Sequence, residues 1–548
     1  MTLSAVRWLL VVVALAVFAV GIDNLRRPLA NPDEGRYSEI SREMVVSGDW
    51  VTPRLNGLKY FEKPPLQYWA TALSFEAFGF GESAARLYVW LCALATLLVT
   101  AYTAARLGGR EMGVAAALVL AASPYFLALG GIVTLDMGLT LWTTLNACAF
   151  LVSEHAHATG RRASARHWML VSWAALALAV LSKGLVAVIF AGALVFFHVA
   201  TSRDLAVMKR MRWVPGLLIA LLVAAPWFVL VSRANPEFAH FFFVHEHFER
   251  FLTHEHRRVQ PWWFFLPIVL LAFLPWAFAL FAGLRHAWRS ERGADVQPLR
   301  GAFLTAAFIV LFFSASGSKL PAYILPAVPL LALPLARYLV DAPLPSVSRY
   351  AALAVPLGLA LLAAAYIVPG QAREEWVKAL NFAAQPFAYA AAAGFTAGAL
   401  AAAWLARAAR RWTALAVVAL ANIVLVGGLI EAYGVFSPRQ SDKEAAARLA
   451  PFVGPSTRLY SVKIYDQSLP FYLGRTLTLV DYVDEFELGE TAEPGRWIPR
   501  VGGFQPEWLR PGDAVAIIQP GVFEDLRRQG LPMVVVHQDP KRVLVRKP

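Results

Sequence analysis

The sequence predicts a polytopic α-helical membrane protein with about 13 transmembrane helices, followed by a small C-terminal α/β domain. Three observations predict this class. Of the 548 residues, 58% are hydrophobic and only 16% are charged, with a mean hydropathy of +0.53; soluble domains are about 45–50% apolar and about 25% charged. Apolar stretches long enough to cross a bilayer recur up to about residue 435. The composition then changes to a charged tail with short β-branched runs.

The spans follow from length, because a bilayer core takes about 20 apolar residues per helix. They are predicted near residues 3–22, 86–105, 112–130, 137–153, 168–182, 184–200, 214–232, 261–284, 302–315, 320–340, 350–369, 386–406 and 412–435. We expect the first to be a retained anchor, since it is long for a signal sequence and no Ala-x-Ala site follows it. An odd number of spans places the tail on the opposite side from the N-terminus, together with loops 23–83 and 233–260.

Charge distribution gives the orientation. The formal net charge is +13, but the Lys and Arg residues mostly occupy short clusters between apolar runs, which indicates membrane topology rather than nucleic-acid binding. With a cytoplasmic N-terminus, the clusters inside the cell are Arg106/Arg110, Arg161/Arg162/Arg166, Arg203/Lys209/Arg210/Arg212, Arg285/Arg289/Arg292/Arg300 and Arg407/Arg410/Arg411. The only cysteines, Cys92 and Cys148, lie in apolar runs, so neither a disulfide framework nor a cysteine zinc site is expected.

Two domains are expected, a transmembrane domain over residues 1–436 and a soluble α/β domain over residues 437–548. In the tail, residues 442–449 have a helical pattern, and the β-branched runs 514–518, 533–537 and 543–545 are typical of short strands.

Loop 23–83 carries the first candidate site residue, Asp33. We expect Asn31 to be a helix N-cap, with Pro32 at the first helical position and Glu34 completing a capping box. Asp33 then lies in the first turn, where the helix dipole favours the carboxylate. On residue types alone, Asp33 could merely cap this helix and Arg36 could merely be solvated.

The same helix has an amphipathic pattern. Apolar residues recur at helical spacing, and the charged residues Glu34, Arg36, Arg42 and Glu43 lie elsewhere on the helix. We therefore expect this helix to lie on the membrane surface.

Lys63 is the second candidate in this loop. It precedes Pro64 and Pro65, which favour an extended entry into a second helix rich in aromatic residues. A lysine beside aromatic rings at the interface suits a phosphate headgroup, because its ammonium is a compact charge with three donors. The alternative is an interfacial anchor in an aromatic belt.

Charged residues also occur at the ends of later spans. Asp136 lies beside apolar sequence on the outer side, where a carboxylate is costly and is by default a functional candidate. Lys183 and Lys319 are predicted outside as well, against the positive-inside bias. Together with Lys63 and Asp33 they indicate an anionic substrate, a phosphate in particular. Snorkelling to the interface would account for either later lysine alone.

The loop 240–256 contains five histidines, so Glu62, His245 and His247 are candidate ligands for a zinc site. His245 and His247 share a face only if the segment is extended, since residues two apart diverge on a helix. The intervening phenylalanines favour an interfacial segment instead.

Six segments carry a family resemblance: 31–37 (NPDEGRY), 47–50 (SGDW), 61–66 (FEKPPL), 135–137 (LDM), 182–184 (SKG) and 312–321 (FFSASGSKLP). With these motifs, the chain resembles the bacterial lipid A 4-amino-4-deoxy-L-arabinose transferases. These are polytopic glycosyltransferases of the GT-C fold, related to protein O-mannosyltransferases. The resemblance covers essentially the whole chain.

The resemblance implies transfer of aminoarabinose from undecaprenyl phosphate to a phosphate of lipid A, at the periplasmic face of the bacterial inner membrane. Such transfer lowers the negative surface charge and gives resistance to polymyxin and cationic antimicrobial peptides. The expected partners are the lipid-linked sugar donor, lipid A and membrane lipids, with no nucleic acid, and the enzyme is expected to be a monomer. No cofactor is expected to be required, since lysines can stabilise the leaving phosphate as a metal does elsewhere.

The resemblance also implies roles for individual residues. Asp33 and Asp136 look like the catalytic acidic residues of the cavity, and Lys63 and Tyr323 look like ligands of the lipid-borne phosphate. Further substrate-binding residues implied by the resemblance are Arg36, Glu62, Lys183, Arg250 and Lys319.

Two alternatives remain open from the sequence. The first is a polyprenyl-phosphate-dependent glycosyltransferase for another sugar or for a protein acceptor, similar to O-mannosyltransferases. The second is a transporter or flippase for a lipid-linked sugar. Transport is disfavoured because no inverted repeat of broken helices is visible and the charged candidates gather at one face.

Overall fold

The computed structural model describes residues 3–249, 260–292, 294 and 296–548. These residues form two compact units, each built from separate parts of the chain. Unit 1 comprises Met1–Leu25 and Arg86–Val435, and unit 2 comprises Arg26–Ala85 and Phe436–Pro548. The sequence analysis assigns loop 23–83 to the transmembrane domain, whereas in the structure nearly all of that loop packs with the C-terminal tail.

Unit 1 is helical in the part of the chain that the structure describes. Its α-helices are Leu3–Leu25, Glu82–Gly108, Arg110–Ala121, Pro124–Leu129, Leu135–Ala158, Arg162–Lys183, Val186–Ser202, Val207–Arg210, Trp213–Ala234, Phe238–His240, Phe265–Ala272, Ala277–Ser290, Pro298–Ala315, Ala327–Asp341, Leu344–Ile367, Glu375–Arg407 and Arg411–Gly434. A π-helix covers Phe241–Glu249, and 3-10 helices cover Pro321–Ile324 and Val368–Gln371.

Among the described residues, eight helices are long and apolar enough to cross a membrane, or nine if one bent pair counts as a single span. The chain is thus a multi-pass membrane protein, but the count of 13 is not confirmed. The predicted span 261–284 is the bent pair, whose helices Phe265–Ala272 and Ala277–Ser290 meet at 91°. The predicted span 112–130 is interrupted because Ser123 caps a new helix, its hydroxyl accepting from the Phe126 amide at 3.2 Å.

The helix Leu135–Ala158 is the most enclosed span of unit 1. Within its apolar window 89% of the residues are buried, against 17% for Trp213–Ala234. It packs along Arg162–Lys183. Asp136 is therefore carried by a central helix, while Trp213–Ala234 keeps an apolar surface exposed.

Unit 2 contains helices, one hairpin and one larger sheet. Its α-helices are Asp33–Ser47, Leu66–Phe78, Ser437–Gln440, Lys443–Leu449, Leu469–Leu473, Glu487–Ala492, Val501–Leu509 and Pro520–Arg528, with 3-10 helices at Ala450–Phe452, Asp484–Phe486 and Pro494–Arg496. The strands are β1 (Arg54–Leu55), β2 (Leu58–Lys59), β3 (Arg458–Val462), β4 (Thr478–Val480), β5 (Ala514–Ile518), β6 (Val534–Gln538) and β7 (Val543–Arg546).

The larger sheet has the order β4-β3-β5-β7-β6. Strands β4, β3 and β5 are parallel, whereas β7 pairs antiparallel with both β5 and β6. The central strand β5 is buried along its whole length, with Ala516 packing in the core that contains Trp508 and Val515 packing in the opposite core that contains Leu449. Helices therefore cover both faces, as the apolar sequence of β5 requires. The predicted α/β tail is confirmed.

Candidate functional site

In unit 2, Asp33 is the first residue of the helix Asp33–Ser47, so the prediction of a carboxylate in the first turn is confirmed. The prediction that Asn31 is the N-cap is wrong. Pro32 occupies that position without a side-chain cap, because the Asn31 amide is engaged elsewhere. Its Nδ2 donates to Asp442 Oδ2 at 2.7 Å, and its Oδ1 accepts from the Ser468 amide at 2.8 Å. Asn31 thus ties this helix to the tail.

The capping box is formed in part. Glu34 Oε2 accepts a hydrogen bond from the Ala30 amide at 2.9 Å, which satisfies one donor just before the helix. Glu34 is also close to Arg27, whose Nη2 lies 3.9 Å from Glu34 Oε2. Glu34 is buried, so its role is local and structural, whereas the neighbouring Asp33 side chain remains 38% exposed.

Arg36 lies between two carboxylates. Its Nη1 is 3.8 Å from Asp33 Oδ1, and its Nη2 is 3.5 Å from Glu485 Oε1. Burial lowers the pKa of the Arg36 guanidinium, but nearby Tyr60 and Glu485 outweigh burial and raise that pKa well above its ordinary value. Arg36 Nε, which is buried, has no hydrogen-bond partner among the described residues. A charged donor with unsatisfied capacity suits an anionic ligand.

Glu485 is a residue that the sequence analysis missed. Burial raises the pKa of its carboxyl to about 7, although Arg36 acts in the opposite direction. Gln467 Nε2 donates to Glu485 Oε1. No motif surrounds Glu485 in the sequence, and its contact with Arg36 joins positions far apart in the chain, so no local signal could have found it.

Lys63 and Glu62 lie directly before the helix Leu66–Phe78, whose N-cap position is Pro65. The helix start predicted from the two prolines is therefore confirmed. Lys63 Nζ donates to the Glu62 carbonyl oxygen at 2.7 Å and lies 3.9 Å from Glu62 Oε2. Both side chains are largely shielded, while Phe61 before them is fully buried. The aromatic packing fixes the segment that carries the Lys63 ammonium.

Most charged residues of the helix Asp33–Ser47 are buried rather than solvated, and the expected position of this helix on the membrane surface stays a prediction. Glu39, Arg42 and Glu43 are all buried. Arg42 donates to both Glu39 carboxylate oxygens at 2.7 Å and to the Gly474 carbonyl at 3.2 Å. Burial raises the pKa of Glu43 well above its ordinary value. Arg42 and Glu39 thus pair inside unit 2, and Glu43 Oε2 accepts from the Gly57 amide at 2.8 Å. These contacts hold the helix that carries Asp33 and Arg36.

In unit 1, Asp136 and Lys183 form an ion pair. Asp136 lies in the first turn of Leu135–Ala158, and Lys183 is the last residue of Arg162–Lys183. Lys183 Nζ donates to Asp136 Oδ1, and the two side chains are only 14% and 9% exposed. Each charge has the helix terminus that stabilises it, since carboxylates favour N-termini and ammonium groups favour C-termini.

Tyr323 joins this pair. Lys183 Nζ lies 4.6 Å from the centre of the Tyr323 ring, within the range of a cation–π interaction. The Tyr323 ring in turn lies 5.0 Å from that of Phe313. The structure thus brings together three residues that the sequence analysis selected from separate segments.

Lys319 is close in sequence to Tyr323 but has a local partner. Its Nζ donates to the Ser316 carbonyl at 2.6 Å, and its side chain is buried. Lys319 therefore closes its own turn, a structural role that the sequence analysis did not anticipate.

The metal-site hypothesis gains no support. Residues 241–249 form a π-helix, on which residues two apart diverge. The His245 ring stacks on that of Phe241 at 5.1 Å, whereas the His247 side chain and Arg250 lie outside the described residues. In the described ranges, no group of three His, Cys, Asp or Glu residues is placed to hold a metal ion.

Two family models match the chain. One, described as the aminoarabinose transferase C-terminal domain, matches residues 445–547. The other, described as dolichyl-phosphate-mannose-protein mannosyltransferase, matches residues 8–242. The first match covers the α/β sheet of unit 2, and the second includes Asp33, Lys63, Asp136 and Lys183.

A curated relative is the undecaprenyl phosphate-alpha-4-amino-4-deoxy-L-arabinose arabinosyl transferase of Edwardsiella ictaluri, 34% identical over 322 residues. The match covers 57% of this chain and 56% of the relative, so the chain spans little more than half the length of that protein.

Solved structures are similar over a longer range. The crystal structure of ArnT from Cupriavidus metallidurans bound to undecaprenyl phosphate has a TM-score of 0.92 and 33% identity, covering 100% of this chain and 98% of that one. The Archaeoglobus fulgidus oligosaccharyltransferase, at 14% identity, has a TM-score of 0.50 over 93% of this chain and 67% of its own, which supports the GT-C fold alone. The 33% identity and near-complete coverage of the ArnT structure show that this chain belongs to the aminoarabinose transferase family.

Proposed function

We propose that this protein transfers 4-amino-4-deoxy-L-arabinose from undecaprenyl phosphate to a phosphate group of lipid A, at the periplasmic face of the bacterial inner membrane. The observation that carries the proposal is the similarity, over the whole chain, to an ArnT structure bound to undecaprenyl phosphate. The added amino sugar lowers the negative charge of the cell surface and hence its attraction for polymyxin and cationic antimicrobial peptides.

The reaction exchanges one glycosidic bond for another. The bond between the anomeric carbon and the donor phosphate oxygen breaks, and undecaprenyl phosphate leaves with the electron pair. A new bond forms from that carbon to a lipid A phosphate oxygen. This oxygen is already ionised at neutral pH, so a strong general base contributes little. The protein must mainly hold two anions and stabilise the charges that develop.

Unit 2 supplies one set of charges in this proposal. Lys63 and Arg36 bind phosphate oxygens, since Lys63 provides a compact ammonium on a fixed segment and Arg36 has a buried Nε without a partner among the described residues. Asp33 orients the acceptor or counters the positive charge of the sugar-like transition state. Glu62, beside Lys63, lines the same loop and keeps that ammonium in place.

Unit 1 supplies the second set. Asp136 accepts a hydrogen bond from Lys183 and fixes it against the ring of Tyr323, and Lys183 and Tyr323 then contact the donor phosphate. Lys319 fixes the turn that precedes Tyr323, and Arg250 is a further substrate contact. These roles need no bound metal, because the charge on the leaving phosphate is met by cationic side chains.

Reconstitution tests the function. The purified full chain is placed in proteoliposomes with undecaprenyl phosphate-linked aminoarabinose and lipid A, and the lipid A is analysed by mass spectrometry. We expect lipid A to gain the mass of an aminoarabinosyl group. The variant Asp33→Asn should lose most of this product, while Glu524→Gln, which removes an exposed carboxylate of unit 2, should retain it.

The alternatives give different products in the same system. Sugar on an added peptide acceptor, with lipid A unchanged, would identify a protein transferase, the activity named by the family model over residues 8–242. Movement of the donor between leaflets without a new glycosidic bond would identify a transporter. Either result would contradict the proposal.

A further inference from the structure

A charged cavity lies in unit 1, far from Asp136. It is lined by residues that include Glu154, Arg166, Lys209 and Arg212 and has a volume of about 280 Å³. Asp136 and Glu154 lie on one helix, 18 residues apart (154 − 136), which corresponds to about 27 Å along its axis. That distance approaches the thickness of a bilayer core, about 30 Å. The cavity therefore lies near the end of the spans opposite to Asp136.

The lining of the cavity contains one buried carboxylate and several basic side chains. Glu154 is buried and accepts hydrogen bonds from Arg210, whose Nε lies 3.1 Å from Glu154 Oε2. Arg210 also donates to Asp204, so the charge of Arg210 is compensated. Of the lining residues, five are Arg or Lys and one is a carboxylate.

The charges of the other basic lining residues are not compensated in this way. Arg162, Arg166, Lys209 and Arg212 are exposed and show neither an ion pair nor a side-chain hydrogen bond in the part of the chain that the structure describes. They come from the start of Arg162–Lys183 and from the connection before Trp213–Ala234. Two helix N-termini therefore begin at the cavity, and their dipoles add to its attraction for an anion.

An apolar track leads away from the cavity. In the helix Trp213–Ala234 the exposed residues Val214, Leu217, Leu218, Leu221 and Leu222 recur at helical spacing, starting two positions after Arg212. A phosphodiester in the cavity would leave acyl chains to run along this stripe within the bilayer. A free phosphate would interact with the basic residues of the cavity but not with the apolar residues of the helix.

We propose that this cavity, which we name the Arg166–Arg212 cavity after two of its lining residues, binds the headgroup of an anionic glycerophospholipid. Basic pockets between transmembrane helices on the cytoplasmic side recognise such headgroups by charge. The ligand is a membrane component bound on the side opposite to Asp136, and it is neither donor nor acceptor in the transfer reaction. The site is therefore independent of the proposed function.

Binding of phosphatidylglycerol to the purified full chain in neutral detergent tests the proposal, with phosphatidylethanolamine of the same acyl chains for comparison. We expect phosphatidylglycerol to bind at least roughly tenfold more tightly. Each basic residue near a headgroup raises the affinity about fivefold. The double variant Arg166→Gln/Arg212→Gln should therefore bind phosphatidylglycerol about 30-fold more weakly. This double variant should keep the melting temperature of the unaltered chain, because neither side chain has an ion pair or side-chain hydrogen bond to lose among the described residues.

A matched control separates the cavity from general surface charge. The variant Arg161→Gln/Arg203→Gln removes two arginines from the same two connections, outside the cavity lining. It should change the affinity for phosphatidylglycerol by less than about threefold. Equal losses in the two double variants, or equal binding of the two lipids by the unaltered chain, would overturn the proposal. So would displacement of the lipid by inorganic phosphate at matching concentration, because the site would then bind a free anion.

Discussion

The ion pair between Asp136 and Lys183 allows structure and chemistry to be separated. Both side chains are largely buried at the ends of their helices. Removing one partner leaves the other charge uncompensated, which costs about 3–5 kcal/mol of stability. Asp136→Asn and Lys183→Met should each show a loss of this size, with Lys183→Met also losing the contact with the Tyr323 ring. The double variant removes both charges and should recover most of the stability.

Thermal unfolding of the detergent-solubilised chain measures the stability. Glu375→Gln provides the matched control, because Glu375 pairs with Lys378 at 3.6 Å on the surface of unit 1 and is 87% exposed. Such exposed pairs contribute about 0–1 kcal/mol, so this control should unfold almost as the unaltered chain does. A loss in Asp136→Asn no larger than that of the control would show that burial does not strengthen the pair.

Transfer activity in the reconstituted system gives the second measurement. If Lys183 stabilises the leaving phosphate, all three variants should lose transfer by roughly a hundredfold or more, because Lys183 is either removed or no longer held in place by Asp136. The double variant would then be stable but inactive. Recovery of transfer together with stability in the double variant would refute the catalytic reasoning and leave only a structural pair.

Three further predictions concern unit 2. Lys63→Ala should reduce donor binding or transfer roughly ten- to a hundredfold, since a charge-assisted contact of about 1.5–3 kcal/mol is lost; an unchanged dependence of transfer on donor concentration would leave the anchor interpretation. In the folded chain, burial raises the pKa of the Glu485 carboxyl from its ordinary value of 4.5 to about 7. Between these two pH values the folded chain keeps a proton that the unfolded chain releases. The free energy of unfolding should therefore fall as the pH rises from about 5 to 7. In the Glu485→Gln variant the unfolding temperature should fall less over this pH range. The same pH dependence in the variant and the unaltered chain would contradict the prediction. Cysteines introduced at the exposed positions Ser47 and Glu524 should react with an impermeant reagent in intact cells, because the Arg clusters place loop 23–83 and the tail outside; labelling only after lysis would contradict the topology.

The sequence predicted elements wherever the signal was local. The strands β5, β6 and β7 follow β-branched runs, and the helix after Pro65 follows its two prolines. Strands β3 and β4 were missed. β3 is the mixed segment RLYSV and β4 has only three residues, and they become strands by pairing with each other and with β5. Pairing of this kind is tertiary context, which propensity does not contain.

For a related reason, the sequence could not predict which two chain segments form unit 2. Its two chain segments are joined by pairs more than 400 residues apart in sequence. Asn56 donates to the Leu477 carbonyl at 2.7 Å and accepts from the Leu477 amide at 2.8 Å. Arg54 Nη1 lies 3.0 Å from Glu493 Oε2. Each of these residues alone is typical of a solvated loop, so a single sequence gives no indication that they meet.

Both candidate aspartates lie in the first turn of a helix, but they differ in their surroundings, which assigns them different tasks under the proposed function. The Asp136 carboxylate is 9% exposed and paired with Lys183, so accepting a proton from a substrate would cost the pair its attraction. Asp33 is 38% exposed, and Arg36 Nη1 lies 3.8 Å from its Oδ1. An ionised, accessible carboxylate in the first turn of a helix can contact the acceptor or the sugar directly. Asp33 is therefore the residue expected to touch the reacting groups, whereas Asp136 acts on them through the position and charge of Lys183.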